Sequence, residues 1–271
     1  MLFVLTDLDG TLLNQEDYDY QPALPVIAQL KAKNIPVVPV TSKTRAEVAQ
    51  LCQDIGLNDP FIVENGSGIF IPQNDGRFDT SEATLTGYYY IKTLGCSYIE
   101  ARAGLKIIQS EVRINNLKGF GDLEETEIQS LTGLPIPEVR QAKTREFTEP
   151  FITPKDIPKE KIANTAAEYG FRVLIGDRFS HLIGAAAGKG KAVKWLLEHY
   201  KSVKDGAKVT TVGLGNSPND LEMLEAVDIP IVIGNNKGVH PDLAARGWKT
   251  PNAPGSKGWA EAVTEIINRF N

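Results

Sequence analysis

Apolar and polar positions change rhythm twice along this 271-residue chain. Over roughly the first ninety residues, short apolar runs alternate with stretches in which apolar positions recur every three to four residues. That alternation predicts strands separated by amphipathic helices, the βαβ arrangement of a parallel sheet. Leu2 to Leu5 reads as a strand, Leu24, Ile27 and Leu30 as one helix face, and Ile35 to Val40 as a second strand despite Pro36 and Pro39. Val48, Leu51, Cys52 and Ile55 form the next helix face, opened by a capping box of Thr44 and Glu47 and closed at Gly56. Phe61 to Val63 gives a third strand, followed by the turn-rich Asn65-Gly66-Ser67-Gly68 and a hairpin return through Ile69 to Ile71.

From about Ser81 to Gly184 the order becomes irregular. The segment reads as a strand at Tyr88 to Ile91, a helix capped by Ser97 with Glu100, and a short helix from Glu124 to Leu131. A strand at Phe147 to Ile152, a helix at Ile157 to Tyr169 and paired strands at Phe171 to Ile175 and Phe179 to Ile183 follow. Strands and helices that do not strictly alternate point to an α+β insertion. After Lys189 the βαβ rhythm resumes, with a helix through Val193 and Leu196, a strand at Lys208 to Val212, a helix from Pro218 to Val227, a strand at Ile229 to Ile233, and a last helix from Trp259 to Phe270. The expected fold is therefore α/β: a Rossmann-like core with a parallel sheet, residues 1–82 and 185–271, carrying an inserted α+β cap over 83–184.

Composition narrows the function without choosing it. With 42% hydrophobic and 23% charged residues the chain can bury a core, and a net charge of -5 argues against tracking a nucleic-acid backbone or an anionic membrane. The N-terminus has no basic segment ahead of its apolar run, and no run approaches the ~18 apolar residues of a membrane span. Cys52 and Cys96 lie in no CxxC pattern, which reads as buried thiols in a reducing cytoplasm.

In open parallel sheets, ligands lie beyond the carboxyl ends of the strands. Those positions hold Asp7-Leu8-Asp9-Gly10-Thr11, Thr41-Ser42-Lys43, Gly188-Lys189-Gly190 and Gly215-Asn216-Ser217-Pro218-Asn219-Asp220. Each alone has a plainer reading. Asp9-Gly10 is a turn, Thr11 and Thr41 are helix caps, Lys189 is a solvated helix start, and Pro218 opens a helix. Together they gather carboxylates, a hydroxyl and a lysine, a set suited to phosphoryl chemistry. Asp7, Asp9 and Asp220 would repel one another without a cation, so an oxygen-ligated divalent ion such as Mg²⁺ is implied.

These four segments resemble the motifs of the haloacid dehalogenase superfamily of aspartate-nucleophile phosphatases, in that order and across essentially the whole chain. Cap sequences add to the likeness: Glu64-Asn65-Gly66, Gly119-Phe120-Gly121-Asp122, Arg145-Glu146-Phe147-Thr148-Glu149-Pro150 and Arg178-Phe179-Ser180-His181 are similar to those of the mannosyl-3-phosphoglycerate phosphatase subfamily. The resemblance implies a C2B-type cap and a Mg²⁺-dependent hydrolase. It implies Asp7 as nucleophile, Asp9 as acid and base, and Thr41 and Lys189 on the phosphoryl oxygens. Mg²⁺ would be held by Asp7, the Asp9 carbonyl, Asn216 and Asp220.

The implied substrate is a small phosphorylated glycoside, mannosyl- or glucosyl-3-phosphoglycerate, handled by a cytoplasmic monomer or homodimer. Arg145 and Arg178 are expected to clamp its carboxylate or sugar. Thr11, Ser42, Lys43, Asn65, Glu146, Thr148 and His181 are further expected substrate contacts. His199 and His240 read as surface or loop residues.

One position departs from the pattern. The fourth motif usually carries aspartate where this chain has Asn216, which implies weaker metal binding, or else a sugar-phosphate sensor in place of an enzyme. Another hexose-phosphate or sucrose-phosphate phosphatase is the nearer rival. A nucleotide P-loop is excluded, because Gly190 follows Lys189 where Ser or Thr is required. Gly213-Leu214-Gly215 lacks the third glycine of a dinucleotide fingerprint.

Overall fold

The computed structural model describes residues 1–113, 117–155, 157–175, 179–201, 206 and 208–270. Its central layer is a parallel sheet in the order β11-β10-β1-β2, made of Ile229–Val232 (β11), Thr210–Gly215 (β10), Leu2–Thr6 (β1) and Val37–Pro39 (β2). A parallel bridge from Val40 to Ile62 extends this layer to Phe61–Val63 (β3). From there the pairing turns antiparallel, through Gly68–Pro72 (β4), Tyr89–Thr93 (β6) and Thr84–Thr86 (β5). The chain lays β1, β2 and β3 outward in one direction and then returns to place β10 on the other side of β1. The point where the strand order reverses therefore lies between the ends of β1 and β10, where ligands enter such sheets.

Strand β1 is buried on both faces, so it reads as an unbroken apolar run. Leu2 and Val4 pack on one side with Leu24–Ala32 (α1), Arg45–Ile55 (α2) and the C-terminal helix Gly255–Arg269. Phe3 and Leu5 pack on the other with Lys189–Glu198 and Leu221–Leu224. In α2 the expected capping box is present, with the Thr44 hydroxyl accepting the Glu47 N–H, and Gly56 closes the helix in the left-handed region at φ 67°.

A second layer, Glu149–Ile152 (β7), Phe171–Leu174 (β8) and Phe179–Gly184 (β9) in the order β7-β9-β8, carries Tyr98–Val112 (α3) and Lys159–Glu168 on an apolar core of its own around Leu105, Ile108, Phe151, Ile162 and Leu182. A smaller cluster of Phe120, Leu123, Ile128 and Val139 sits under Glu125–Thr132 (α4) and Ile136–Lys143 (α5). The chain enters this layer past Gly95 and leaves it at Gly184, where an added Cβ would lie 2.6 Å from the Cys96 nitrogen.

Three details differ from the sequence reading, each for a local reason. The core sheet continues past the expected junction at 82–83, because β5 and β6 pair with β4 and carry it to Thr93. The strand expected from Phe147 begins at Glu149, since the Phe147 and Thr148 N–H groups are taken by the Glu64 carboxylate. Helix α5 went unread because Pro137 stands in its first turn, where proline is tolerated but reads as a breaker.

Both cysteines are free, and burial pushes the Cys52 thiol up to about 12 and the Cys96 thiol to about 11. Among the described residues, no helix is long and apolar enough to cross a membrane.

The turn after β3 is tied to the second half of the chain. Glu64, Asn65 and Gly66 all have positive φ (49°, 59° and 84°), and an added Cβ on Gly66 would stand 2.2 Å from the Gly188 carbonyl oxygen. Both strain and overlap oppose a side chain there, so Gly66→Ala is expected to lower unfolding free energy by about 2–4 kcal/mol. Chemical denaturation of the variant against the parent, with unchanged denaturant slope, checks this.

Candidate active site

Asp7 follows β1 directly, and its N–H donates to the Leu214 carbonyl of β10 at 2.8 Å, fixing it at the sheet's reversal point. The strand end is braced from below: Trp259 Nε1 donates to Thr6 Oγ1 (3.0 Å), and that hydroxyl donates to the Asp7 carbonyl (2.7 Å). Lys189, the first residue of its helix and 2% exposed, places Nζ 2.7 Å from Asp7 Oδ1 and 2.6 Å from Asp220 Oδ1. One buried ammonium thus joins two buried carboxylates brought from opposite ends of the chain.

Asp220 has partners on both oxygens. Its Oδ2 accepts the N–H groups of Asn216 (2.9 Å) and Ser217 (3.0 Å), which folds the loop after β10 around it. Burial raises the Asp7 carboxyl to about 7, reinforced by the neighbouring Asp220 and opposed by Lys189. Burial works against the charge on Lys189, but Asp220 and Asp7 hold its pKa above the ordinary lysine value.

The sharp turn after Asp7 depends on Gly10, at φ 77°, where an added Cβ would lie 2.2 Å from the Asn216 side-chain amide. Asn216 therefore lies over the Asp7–Gly10 turn. Thr11 is buried and its hydroxyl lies 3.3 Å from Asp7 Oδ2. Asp9 points into the cleft, 3.2 Å from Lys43 Nζ, which also reaches Glu47 Oε1 at 3.3 Å. Burial lifts the Asp9 carboxyl above its usual range, with Lys43 pulling the other way.

Thr41 is 1% exposed. Its hydroxyl accepts the Lys43 N–H (3.1 Å), leaving its own O–H to donate, while its carbonyl accepts the Asn65 N–H (2.9 Å).

The oxygen donors here fit a hard divalent cation of the Mg²⁺ kind, which takes one or two carboxylates and neutral oxygens. The residues that fit are Asp7, the Asp9 carbonyl, Asp220 and the amide of Asn216, whose side chain lies against Gly10. Asp220, expected among the ligands, has Oδ1 on Lys189 and Oδ2 on two backbone N–H groups, much as Asp7 has Oδ1 on Lys189 and Oδ2 near Thr11, so both keep lone pairs that could face a cation. Among the described residues, no group of three or more His, Cys, Asp or Glu side chains is arranged to hold a metal by itself.

The second layer closes over these groups and leaves two joined cavities. The larger, about 490 Å³, is lined by Asp9, Gln15, Tyr18, Lys43 and Arg145, among others. The smaller, about 250 Å³, is lined by Asn65, Ser217, Asn219 and His240, and the two share Ser42, Phe179 and His181. Of the expected substrate contacts, Ser42, Lys43, Asn65, Arg145 and His181 therefore face a cavity. Arg178 lies outside the described residues.

Glu146 and Thr148 line neither cavity. Glu146 pairs with Arg45 at 2.7 Å, and the buried Thr148 hydroxyl donates to Glu64 Oε2 at 2.7 Å. His199 is buried, stacked on Trp195 with centroids 3.9 Å apart, and so is not the surface residue expected. Gln15 and Tyr18 carried no signal in the sequence beyond their nearness to Asp9.

Glu64 is the residue sequence reasoning passed over. Fully buried, it accepts the N–H groups of Glu146 (2.8 Å), Phe147 (3.3 Å) and Thr148 (2.8 Å), and lies 3.8 Å from Arg145 Nη1. Arg145 in turn donates to the Ser42 carbonyl at 2.8 Å. The Glu64 carboxylate is thus the clamp that holds the Arg145–Thr148 segment, and with it Arg145, against the core.

The chain is similar to known proteins in sequence and in fold. Residues 4–240 match the profile of the haloacid dehalogenase-like hydrolases. The chain is 40% identical over 269 residues to a glucosyl-3-phosphoglycerate/mannosyl-3-phosphoglycerate phosphatase of Persephonella marina, covering 99% of this chain and 98% of that one. It is 36% identical over 232 residues to a mannosyl-3-phosphoglycerate phosphatase of Pyrococcus furiosus, covering 86% and 90%. Its fold is similar to that of a Thermoplasma acidophilum protein (TM-score 0.67, 18% identity, 100% and 98% of the two chains) and of the sucrose-phosphatase of Synechocystis (TM-score 0.62, 14% identity, 98% of each).

Removing the central cation tests the site's electrostatics. An acid whose folded pKa exceeds its unfolded value binds its proton more tightly when folded. Its stabilising contribution is therefore present at low pH and lost as pH rises, for Asp7 between 3.8 and about 7. Lys189→Met leaves two buried carboxylates unpaired and is expected to lose about 3–5 kcal/mol at pH 7, regaining part of it as pH falls, with the regain starting at a higher pH than the parent's window because Lys189 no longer lowers the Asp7 pKa. Urea unfolding of metal-free protein across pH reads both effects.

Proposed function

The chain belongs to the haloacid dehalogenase-like hydrolases, and we propose that within this family it hydrolyses glycosyl-3-phosphoglycerates, mannosyl or glucosyl, to the glycosylglycerate and phosphate. One observation carries this reading. A buried carboxylate locked to a lysine, Asp7 with Lys189, stands two residues from a second carboxylate, Asp9, that lines a 490 Å³ cavity. That is the pairing a covalent phosphatase needs: a nucleophile below and an acid facing the leaving group.

The step balances on these residues. An Asp7 carboxylate oxygen attacks phosphorus, the bond from phosphorus to the ester oxygen breaks, and Asp9, whose raised pKa lets it hold a proton, donates that proton to the departing oxygen. Water then attacks the aspartyl-phosphate, its proton passes to Asp9, and Asp7 is released with phosphate. Lys189 and the free O–H of Thr41 hold the phosphoryl oxygens in both steps. When bound, Mg²⁺ supplies positive charge that offsets the anionic phosphate, with Asp7, the Asp9 carbonyl, Asn216 and Asp220 as the residues that would hold it.

Residues from Gly95 to Gly184 serve in this reading as the cap, with Arg145 among the groups facing the leaving group. The free thiols suit a cytoplasmic enzyme.

A panel of phosphoesters assayed with Mg²⁺ tests the substrate. Glycosyl-3-phosphoglycerate is expected to show the highest kcat/KM, and a higher value for sucrose phosphate or a hexose phosphate overturns the assignment. Asp7→Asn is expected to lower kcat by roughly 10³-fold or more, and near-parental activity would remove it as nucleophile. Because Asn216 contributes only a neutral oxygen, Asn216→Asp is expected to lower the half-saturating Mg²⁺ concentration by about tenfold, read by titrating activity against the ion.

A further inference from the structure

Among the described residues of the cleft, the buried atoms Asp9 Oδ1, His181 Nδ1 and Asn65 Nδ2 have no hydrogen-bond partner, and of these only Asp9 Oδ1 has an ion-pair partner, Lys43 at 3.2 Å. A buried polar group without a partner costs free energy, and folds keep such groups where a ligand completes them. Asn65 and His181 line the smaller, 250 Å³ cavity, and His181 also stands in the wall it shares with the 490 Å³ one. The two orphaned groups therefore converge on one space beside the phosphoryl site.

The shape of the proposed substrate gives that space an occupant. In a glycosyl-3-phosphoglycerate the phosphate is on O3 and the carboxylate on C1, so the sugar is on O2 and the leaving group forks at C2. One arm is short and ends in a carboxylate, and the other is long and ends in a hexose ring. A cleft for it needs two unequal pockets meeting near the phosphate.

Resting on that reading of function, we propose that the smaller cavity is the carboxylate subsite, with Asn65 Nδ2 and His181 Nδ1 as its neutral N–H donors, and that the glycosyl ring occupies the larger. The larger space has the polar partners a ring of hydroxyls requires, in Gln15, Tyr18, Lys43 and Glu47. Its volume lies in the range of small-molecule sites.

His181 is suited to act uncharged. Burial, then the charges of Arg145 and Lys189, lower its pKa to about 3, so its ring donates from one nitrogen without carrying a proton that titrates near neutrality. The same two cations act on the His181 ring, so a carboxylate bound there lies within their attraction although neither lines the smaller cavity. Asn65 is held in place by its backbone, which sits in the left-handed region at φ 59°, and by Asn219 Nδ2, 3.4 Å from its Oδ1, which keeps its Nδ2 free.

The test uses 3-phosphoglycerate and glycerol 3-phosphate, which differ only in the carboxylate, as competitive ligands in the Mg²⁺-dependent assay with p-nitrophenyl phosphate. The parent enzyme is expected to bind 3-phosphoglycerate at least tenfold more tightly. His181→Gln, whose amide falls near the Nε2 position, and Asn65→Gly, which keeps the left-handed backbone and removes the amide, are each expected to shrink that ratio by fivefold or more. His181→Asn, which sets an amide near Nδ1, is expected to preserve the ratio within threefold. An unchanged ratio in His181→Gln and Asn65→Gly overturns the proposal, as does an equal loss in His181→Asn, which would make the histidine a packing residue. The ligand pair contains no sugar, so a failed glycoside assignment would show in the phosphoester panel and leave this comparison readable.

Discussion

The constraint on which the rest of the structure depends is the burial of one ammonium between two carboxylates. Lys189, Asp7 and Asp220 are all nearly inaccessible, and an unpaired charge at any of them would be strongly destabilising. Satisfying all three at once requires the end of β1, the first turn of the helix at Lys189 and the loop after β10 to meet at one point. The parallel sheet brings β1 and β10 side by side, and the return of the chain after the inserted layer brings the lysine. Charge pairing therefore sets where the two halves of the core must join, and the insertion is tolerated because it leaves from and returns to neighbouring points at Gly95 and Gly184.

A second buried charge fixes the layer above. Glu64 spends its carboxylate on three successive backbone N–H groups and one hydroxyl, partners that belong to the segment running into β7. Arg45 with Glu146, and Thr44 Oγ1 donating to the Gln141 carbonyl, reinforce the same contact from α2. The segment so held carries Arg145 to the loop that follows Thr41. The loop at Thr41 and the cavity wall at Arg145 thus share one set of anchors, which makes the reach of Arg145 a property of the core as well as of the inserted layer.

How much of this was legible in the sequence follows from how local each signal is. Asp7, Thr41, Lys189 and Asp220 were readable because each comes just after an apolar strand or at a helix start, where polar residues stand out. The capped helix at Thr44 was readable for the same reason. Glu64 was not, because a carboxylate in a Glu-Asn-Gly turn reads as solvated, and only the distant Glu146–Thr148 segment gives it a buried role. Glu146 and Thr148 are expected as substrate contacts only through the likeness of their segment to the subfamily's, yet their partners, Arg45 and Glu64, lie in the core. β5 stayed invisible since all three of its residues are exposed and no face repeats. Long-range partnership, absent from any local pattern, accounts for Glu64, Glu146 and Thr148, and missing burial for β5.

The neutral residue at 216 takes its meaning from the same charges. Asp7, Asp9 and Asp220 face Lys189 and Lys43, so the site carries one net negative charge when all five are ionised. A carboxylate at 216 would add a second negative charge close to where, in the proposed reaction, a dianionic phosphate enters beside a leaving group with its own carboxylate. An amide keeps an oxygen for a cation while withholding that charge. In the proposed reaction, grip on the metal would be exchanged for weaker repulsion of a substrate with three negative charges, and the exchange suits a cleft whose nearest cations, Lys189 and Lys43, are already committed to aspartates.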